Sequence, residues 1–183
     1  MKIRETAAAA MMAALISVLS PLSIPLSAGV PVSLATLAVM LAGALTGSRL
    51  GTLSVLIYLL LGMLGLPVFA GYASGAAILF GMTGGYLFGY LPLAFLSGMG
   101  AAYGKGKTKT ARTAALLAGM TGGTLVLYLF GTAWFICFTG MGVSATLAAC
   151  VLPFLPGDIL KMAVVCLLVP RLSFARDKLL TRI

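Results

Sequence analysis

Long apolar runs, separated by short polar segments or by stretches rich in glycine and proline, make up most of this 183-residue chain. A helix that crosses a membrane needs about 20 predominantly apolar residues, and the runs are close to that length. The pattern predicts six spans, with a short additional helix at 144–152 before the last one. The predicted spans are residues 6–20, 32–47, 50–65, 84–103, 113–137 and 156–175.

The composition agrees with this pattern, since 61% of the residues are hydrophobic, 8% are charged and the mean hydropathy is +1.15. A water-soluble domain of this size does not normally have such a composition. The predicted fold class is therefore all-α, a six-transmembrane-helix bundle that forms one integral membrane domain over residues 1–183. The spans leave no room for a separate nucleotide-binding or catalytic domain, so an energy source would have to come from partner chains.

Basic residues outnumber acidic ones and give a formal net charge of +9. They lie in short clusters between the apolar runs and not along one polar face, which argues against nucleic-acid binding. Cytoplasmic loops of membrane proteins collect Lys and Arg, and the strongest cluster is KGKTKTAR at 105–112. A six-span path places eleven of the twelve basic residues on that side, so both termini are predicted to be cytoplasmic.

The chain offers little for catalysis or for metal binding. It contains no histidine, and its three cysteines, Cys137, Cys150 and Cys166, lack the spacing of metal ligands. Two of the three carboxylates, Glu5 and Asp177, lie near the chain ends, which leaves no second acid for acid–base chemistry in the apolar region. The sequence therefore predicts no enzyme, no metal site and no cofactor.

Two charged residues interrupt an apolar stretch: Asp158 and Lys161, within PFLPGDILK at 153–161. Three residues apart on a helix, the two side chains share one face. Ionisable groups are costly inside a membrane, so a paired acid and base predict a binding or transport site. The alternative is a salt bridge that only locks the helix. Pro156 suits the first turn of a helix, which places the pair in roughly the outer third of the membrane.

The two outer connections, residues 21–31 and 66–83, carry no charge and are rich in Pro, Gly and Ser. Irregular backbone at membrane depth is tolerated where it is covered by protein or lines a cavity. Aromatic walls with hydroxyls and small donors are typical of a small-molecule pocket. The side chains that predict such a pocket are Phe69, Tyr72, Ser74, Thr83 and Tyr86.

The first span is unusually rich in alanine, which predicts a face where another helix approaches closely. The residues are Ala9, Ala10, Ala13 and Ala14. Packing within the same bundle and docking on a partner subunit are both open interpretations. A cleaved signal peptide is rejected, because its removal would leave five spans and place KGKTKTAR on the wrong side of the membrane.

Three motifs, in order along the chain, carry a resemblance to a known family: GLPVFAG at 65–71, GMTGGYL at 81–87 and PFLPGDILK at 153–161. They resemble the BioY family, the biotin-specific substrate-binding (S) components of energy-coupling factor (ECF) transporters. The resemblance implies a six-helix bundle of the S-component type in a prokaryotic cytoplasmic membrane, with biotin as its ligand. It also implies a membrane scaffold (T) subunit and two ATP-binding subunits as partners.

The resemblance further implies which residues bind biotin. Asp158 would accept from the ureido N–H groups and Lys161 would donate to the ureido carbonyl. The opposite assignment, Lys161 on the biotin carboxylate, stays open, and Tyr86 or loop amides are further candidates to bind that carboxylate. The segment Ile24–Pro31 would be a lid, and the alanine-rich face would match the region that S components place against their scaffold subunit. The predicted binding residues are Asp158, Lys161, Tyr86, Thr83, Gly84, Phe69, Gly71, Tyr72, Ser74, Gly75 and Leu34.

Two residues depart from the family pattern: Met82 stands where the family often has proline, and Ala35 where it often has glutamine. Ala35 removes a polar contact, which weakens the expectation that the second helix helps to recognise the ligand. Other functions stay open: an S component for thiamine or riboflavin, a self-sufficient carrier in which Asp158 takes up a coupling proton, or a structural membrane subunit. The oligomeric state is open as well.

Overall fold

The protein is mostly helical in the computed structural model, which describes residues 3–24 and 30–180, with side chains up to residue 172. Two short strands pair antiparallel, Ser23 with Ser33 and Ile24 with Val32. One turn of 3-10 helix covers Ala70–Tyr72. The helices and strands are α1 (Ile3–Leu19), β1 (Ser23–Ile24), β2 (Val32–Ser33), α2 (Ala35–Thr46), α3 (Ser48–Met63), α4 (Ala76–Leu79), α5 (Gly84–Tyr103), α6 (Lys109–Thr139), α7 (Val143–Cys150) and α8 (Leu155–Leu180).

A helix lies at each predicted span, and α7 lies where the short additional helix is predicted. The largest differences are at the end of α8, which lies at Leu180 and not at residue 175, and at the start of α6, which lies at Lys109 and not at residue 113. The hydroxyl of Thr108 accepts a hydrogen bond from the N–H of Ala111 at 3.4 Å and so caps the helix before the basic cluster ends. The prediction assigned that whole cluster to the loop and therefore placed the helix start too late.

By length and apolar composition, α6 is the one described helix that suffices by itself to cross a membrane. The helix α7 and the part of α8 up to Leu172 meet the same criterion as a pair bent by 47°. The helices α2 and α3 are apolar but shorter, with 12 and 16 residues. The number of crossings and the side on which the termini lie therefore stay predictions.

Close contacts between α2, α5 and α6 occur at glycines. A Cβ on Gly119 of α6 would come within 2.4 Å of the carbonyl oxygen of Leu96 in α5. A Cβ on Gly43 of α2 would come within 2.1 Å of the carbonyl oxygen of Ala94. Because the nearest atoms belong to the backbone, larger residues at these positions would push the helices apart. The glycines thus fix the spacing of three helices whose side chains meet in the interior.

The irregular connection between α3 and α5 is tied to the rest of the bundle by backbone hydrogen bonds. The N–H of Gly71 donates to the carbonyl of Pro21 at 3.2 Å, and the N–H of Gly75 donates to the carbonyl of Gly62 at 2.7 Å. These bonds satisfy backbone groups that have no helical partner, as buried polar backbone requires. These hydrogen bonds therefore fix the position of the connection against the helices.

The predicted lid, Ile24–Pro31, lies only partly within the described residues. Residues 25–29 fall outside them, so the closed shape of the lid stays a prediction. On either side of that segment β1 and β2 pair with each other, and Val30 is buried. The two ends of the segment are thus held close together beside the start of α2.

The alanine-rich face of α1 is divided between the inside and the outside of the bundle. Ala9 and Ala13 are buried, and α1 packs against α2 and α3. Ala10 and Ala14 are exposed. Packing within the bundle therefore applies to Ala9 and Ala13. Docking on a partner subunit stays a prediction for Ala10 and Ala14, which face outward.

Candidate ligand pocket

A cavity of about 210 Å³ lies between the helices and the outer connections. The helices α2, α5, α6 and α8 contribute most of its polar side chains, which are Thr36, Tyr86, Tyr90, Tyr128, Asp158 and Lys161, and Ser33 of β2 adds a further hydroxyl. The outer connections contribute a mostly apolar surface, formed by Val30, Pro31, Phe69, Ala70, Ala73 and Thr83. The cavity thus has the combination expected of a small-molecule site, an apolar surface with a few convergent polar groups.

Asp158 and Lys161 form a buried ion pair on α8. The Nζ atom of Lys161 lies 3.0 Å from Oδ1 of Asp158, and the two residues are only 8% and 3% exposed. This confirms that the spacing of three residues places both side chains on one face. Both residues line the cavity, so the pair also faces the space that a ligand would fill.

Two hydroxyls from other helices complete this ion pair. Lys161 Nζ donates to Thr36 Oγ1 at 2.9 Å, and the same hydroxyl donates to Asp158 Oδ1 at 3.2 Å. The hydroxyl of Tyr128 donates to Asp158 Oδ2 at 2.5 Å. Three helices, α2, α6 and α8, therefore meet at one polar cluster: Thr36, Tyr128, Asp158 and Lys161. A buried ion pair persists only when hydrogen bonds satisfy its remaining polar positions in this way.

The polar cluster leaves room for two further hydrogen bonds. An ionised carboxylate has about four acceptor positions, and an ammonium group has three donors. In the described part of the chain Asp158 accepts three hydrogen bonds and Lys161 donates two. One acceptor position, on Oδ2 of Asp158, and one donor position, on Nζ of Lys161, remain. A ligand with an N–H group next to a carbonyl oxygen can use both.

The start of α8 explains why the pair lies at this depth. Asp158 is in the first turn of the helix, where the positive end of the helix dipole favours a carboxylate. Its N–H donates to the carbonyl of Phe154 at 2.9 Å, which closes that turn. Pro156 is tolerated because the first turn does not need its missing N–H. Lys161 then follows one turn further into the bundle.

Two aromatic rings of the cavity are held by glycines. The ring of Tyr86 lies where a Cβ on Gly131 would approach it to 2.2 Å, and its hydroxyl donates to the carbonyl of Cys150 at 3.4 Å. The ring of Phe69 lies over Gly62 and meets Tyr58 edge to face, with ring centroids 5.6 Å apart. Both rings therefore have neighbours on the side away from the cavity and form a fixed wall.

The structure brings five of the predicted binding residues to the cavity. These are Asp158, Lys161, Tyr86, Thr83 and Phe69. The other six are not among the described lining residues: Gly84, Gly71, Tyr72, Ser74, Gly75 and Leu34. Their part in binding stays a prediction.

Local geometry explains why several of these six lie elsewhere. Tyr72 has a positive φ of 62° and is 66% exposed, so its ring points away from the bundle. Gly84 packs against the carbonyl of Leu79, where a Cβ would come within 2.1 Å. In the same connection the small residues Ala70 and Ala73 face the cavity instead.

Sequence analysis missed Thr36, Tyr90 and Tyr128. Threonine and tyrosine are common in apolar helices, and nothing in their spacing connects them with residues on α8. The one available indication was position, because Tyr128 lies in the middle of a long apolar run and not near either end, where tyrosines usually anchor a helix. Thr36 follows Ala35 directly, so α2 reaches the polar cluster in spite of the alanine.

The helical bundle and its cavity define the class, a mostly helical protein with an internal site of small-molecule size. The chain belongs to the BioY family, whose sequence model matches residues 1–178. It is 38% identical over 173 residues to the "Probable biotin transporter BioY" of Pyrococcus horikoshii, an alignment that covers 94% of this chain and 98% of the relative. It is 40% identical over 153 residues to "Biotin transporter BioY2" of Lactococcus lactis subsp. cremoris, which covers 84% and 81%.

A solved structure has the same architecture. The crystal structure of the S-component for biotin from an ECF-type ABC transporter matches this fold with a TM-score of 0.82 and 30% sequence identity. The match covers 93% of this chain and 91% of that one. The resemblance drawn from the three motifs is confirmed, and so is the helical architecture of the S-component type.

Proposed function

We propose that this protein binds biotin and acts as the substrate-specific component of an ECF-type transporter for biotin uptake. The observation that carries the proposal is the buried pair of Asp158 and Lys161, with one acceptor and one donor position free at the cavity. The names of the relatives and of the solved S-component support the same substrate.

The ureido group of biotin fits these two positions. It presents an N–H donor on each side of a carbonyl acceptor. An N–H would donate to Asp158 and the carbonyl would accept from Lys161, so both new bonds would be assisted by a charge. Thr36 and Tyr128 already hold the carboxylate of Asp158 by donating to it. Little freedom would be lost on binding, because the site is arranged beforehand.

Apart from its terminal carboxylate, the rest of biotin is apolar, a thioether ring and a four-carbon chain. The cavity offers Phe69, Leu87 and Leu127 beside the tyrosine rings. Burial of apolar ligand surface stabilises the complex by about 25 cal/mol per Å², and this term adds to the hydrogen bonds of the ureido head. A flat, charged or strongly polar ligand would gain less from this lining.

A calorimetric titration of the ligand-free, detergent-purified protein tests the substrate. We expect biotin to bind one to one, whereas thiamine and riboflavin, which lack a ureido group beside an apolar chain, produce no heat that saturates. Circular dichroism of the same sample is the control for folding. A folded, ligand-free protein that shows no biotin binding would contradict the proposal.

The membrane topology and the partners are part of the proposal. We infer six crossings of a prokaryotic cytoplasmic membrane with both termini inside, because eleven of the twelve basic residues then share the cytoplasmic side. The chain has no nucleotide-binding motif, so a scaffold subunit and two ATP-binding subunits would supply the energy. Ala10 and Ala14 are exposed and have small side chains, so a helix of the scaffold subunit could approach this face of α1 closely.

Vesicles that contain the chain together with scaffold and ATP-binding subunits test both inferences. Trypsin cuts at exposed basic residues and thus reports which side carries the loop 105–108. We expect ATP on that side to drive biotin toward it.

Ala14→Leu should reduce this transport and leave biotin binding unchanged. Ala163→Leu, an equal change at an exposed position of α8, is the matched control. Transport toward the opposite side would contradict the topology, and uptake without partners would contradict the need for them.

A further inference from the structure

The pocket contains one cation among its described lining residues, Lys161, and that cation is already paired with Asp158. The sequence extends this observation to the whole outer half of the protein. No charged residue occurs at 6–48, 50–104 or 113–157, and the first of these ranges includes residues 25–29 of the predicted lid. A ligand that carries its own negative charge therefore meets no second positive charge beside this site.

On α6 and α8, the next described cations lie far from the polar cluster along the helix. Arg112 is in the first turns of α6, and sixteen residues separate it from Tyr128, which corresponds to about 24 Å at the rise of a helix. Arg171 follows Lys161 by ten residues on α8, or about 15 Å. Distances of this size exceed the reach of an arginine side chain to the polar cluster.

Biotin has a carboxylate at the end of its alkyl chain, and this group must lie somewhere when the ureido head occupies the polar cluster. The one donor position that remains on Lys161 is then used by the ureido carbonyl. The other side of the cavity is lined mostly by apolar residues of the outer connections, where Pro31, Ala73 and the hydroxyl-bearing Thr83 are partly exposed. Because an unpaired charge is costly to bury, the carboxylate stays hydrated at this side.

We propose that the pocket selects its ligand by the ureido head alone and accepts biotin whose carboxyl group is neutralised as an amide or ester. The ligand class then includes biotin amide and biotin linked through an amide to the side-chain amine of lysine. This inference rests on the proposed function and deepens it, because it specifies which end of biotin determines affinity.

Competition against radiolabelled biotin on the wild-type protein tests the inference without any substitution. The competitors are biotin, biotin amide, biotinyl-lysine and the diamine analogue of biotin, which lacks the ureido carbonyl. Loss of a charge-assisted hydrogen bond weakens binding by about 10- to 100-fold. We expect biotin amide and biotinyl-lysine to compete within about tenfold of biotin, and the diamine to lose about 10- to 100-fold.

The outcomes separate this inference from the function on which it rests. A loss of more than about tenfold with biotin amide would overturn it and assign the carboxylate to Lys161. Binding of the amide but not of biotinyl-lysine would overturn the extension to conjugates. Failure of biotin itself to bind a folded protein would instead overturn the proposed function. Equal affinity for acid and amide with loss of the diamine would support the inference.

Discussion

Replacing Asp158 by asparagine is expected to weaken biotin binding by about 10- to 100-fold, because a hydrogen bond to a charged group is worth about 1.5–3 kcal/mol. The substitution keeps the size of the side chain but removes the negative charge that accepts the ureido N–H. It also removes the counter-ion of Lys161, whose Nζ atom lies 3.0 Å from Oδ1 of Asp158 in the wild type. Titration calorimetry measures the change directly.

The matched control for this prediction is Asp177→Asn. It makes the same chemical change in the same helix, nineteen residues further on, or about 28 Å along α8. We expect wild-type affinity in the control. Wild-type affinity in a folded Asp158→Asn protein would show that the ion pair has only a structural role.

The second large effect concerns stability. Lys161→Met leaves the Asp158 carboxylate buried without a positive partner, and breaking a buried pair in this way costs about 3–5 kcal/mol. The double variant Asp158→Asn with Lys161→Met removes both charges and retains an oxygen that accepts from Thr36 and Tyr128. Replacing a whole buried pair is often close to neutral, so we expect the double variant to recover most of the lost stability.

Thermal unfolding in detergent, without ligand, measures this difference. The double variant should unfold near the wild-type temperature, whereas Lys161→Met alone should unfold well below it. Biotin should bind to neither protein. If Lys161→Met is as stable as the wild type, the lysine charge contributes nothing to the fold, and the closed cluster seen in the structure would not persist in solution.

The sequence was informative where a residue type is rare for its surroundings. Asp158 and Lys161 stand out because charges in an apolar run are costly and therefore few. The helices could be predicted for a related reason, since apolar runs of span length have few other interpretations. The predicted start of α6 was four residues too late, because capping by Thr108 depends on local backbone geometry and not on hydropathy.

The rest of the pocket depends on contacts between residues that are distant in the sequence. Thr36 lies 122 residues from Asp158, and Tyr128 lies 30 residues from it. Neither residue is unusual for its own helix, so only the packing of the helices reveals their role. The same applies to α1, where Ala9 and Ala10 look equivalent in the sequence and face opposite environments in the bundle.

The ion pair also has an electrical consequence. A single charge that moves through a membrane potential exchanges about 2.3 kcal/mol with the field per 100 mV. Asp158 and Lys161 carry opposite charges 3.0 Å apart, so the empty pocket has almost no net charge on which the field can act. In the proposed transport, the voltage across the membrane would therefore neither drive nor oppose a displacement of the unoccupied site, and any voltage dependence of uptake would enter with the anionic ligand or with the proposed ATP-binding subunits.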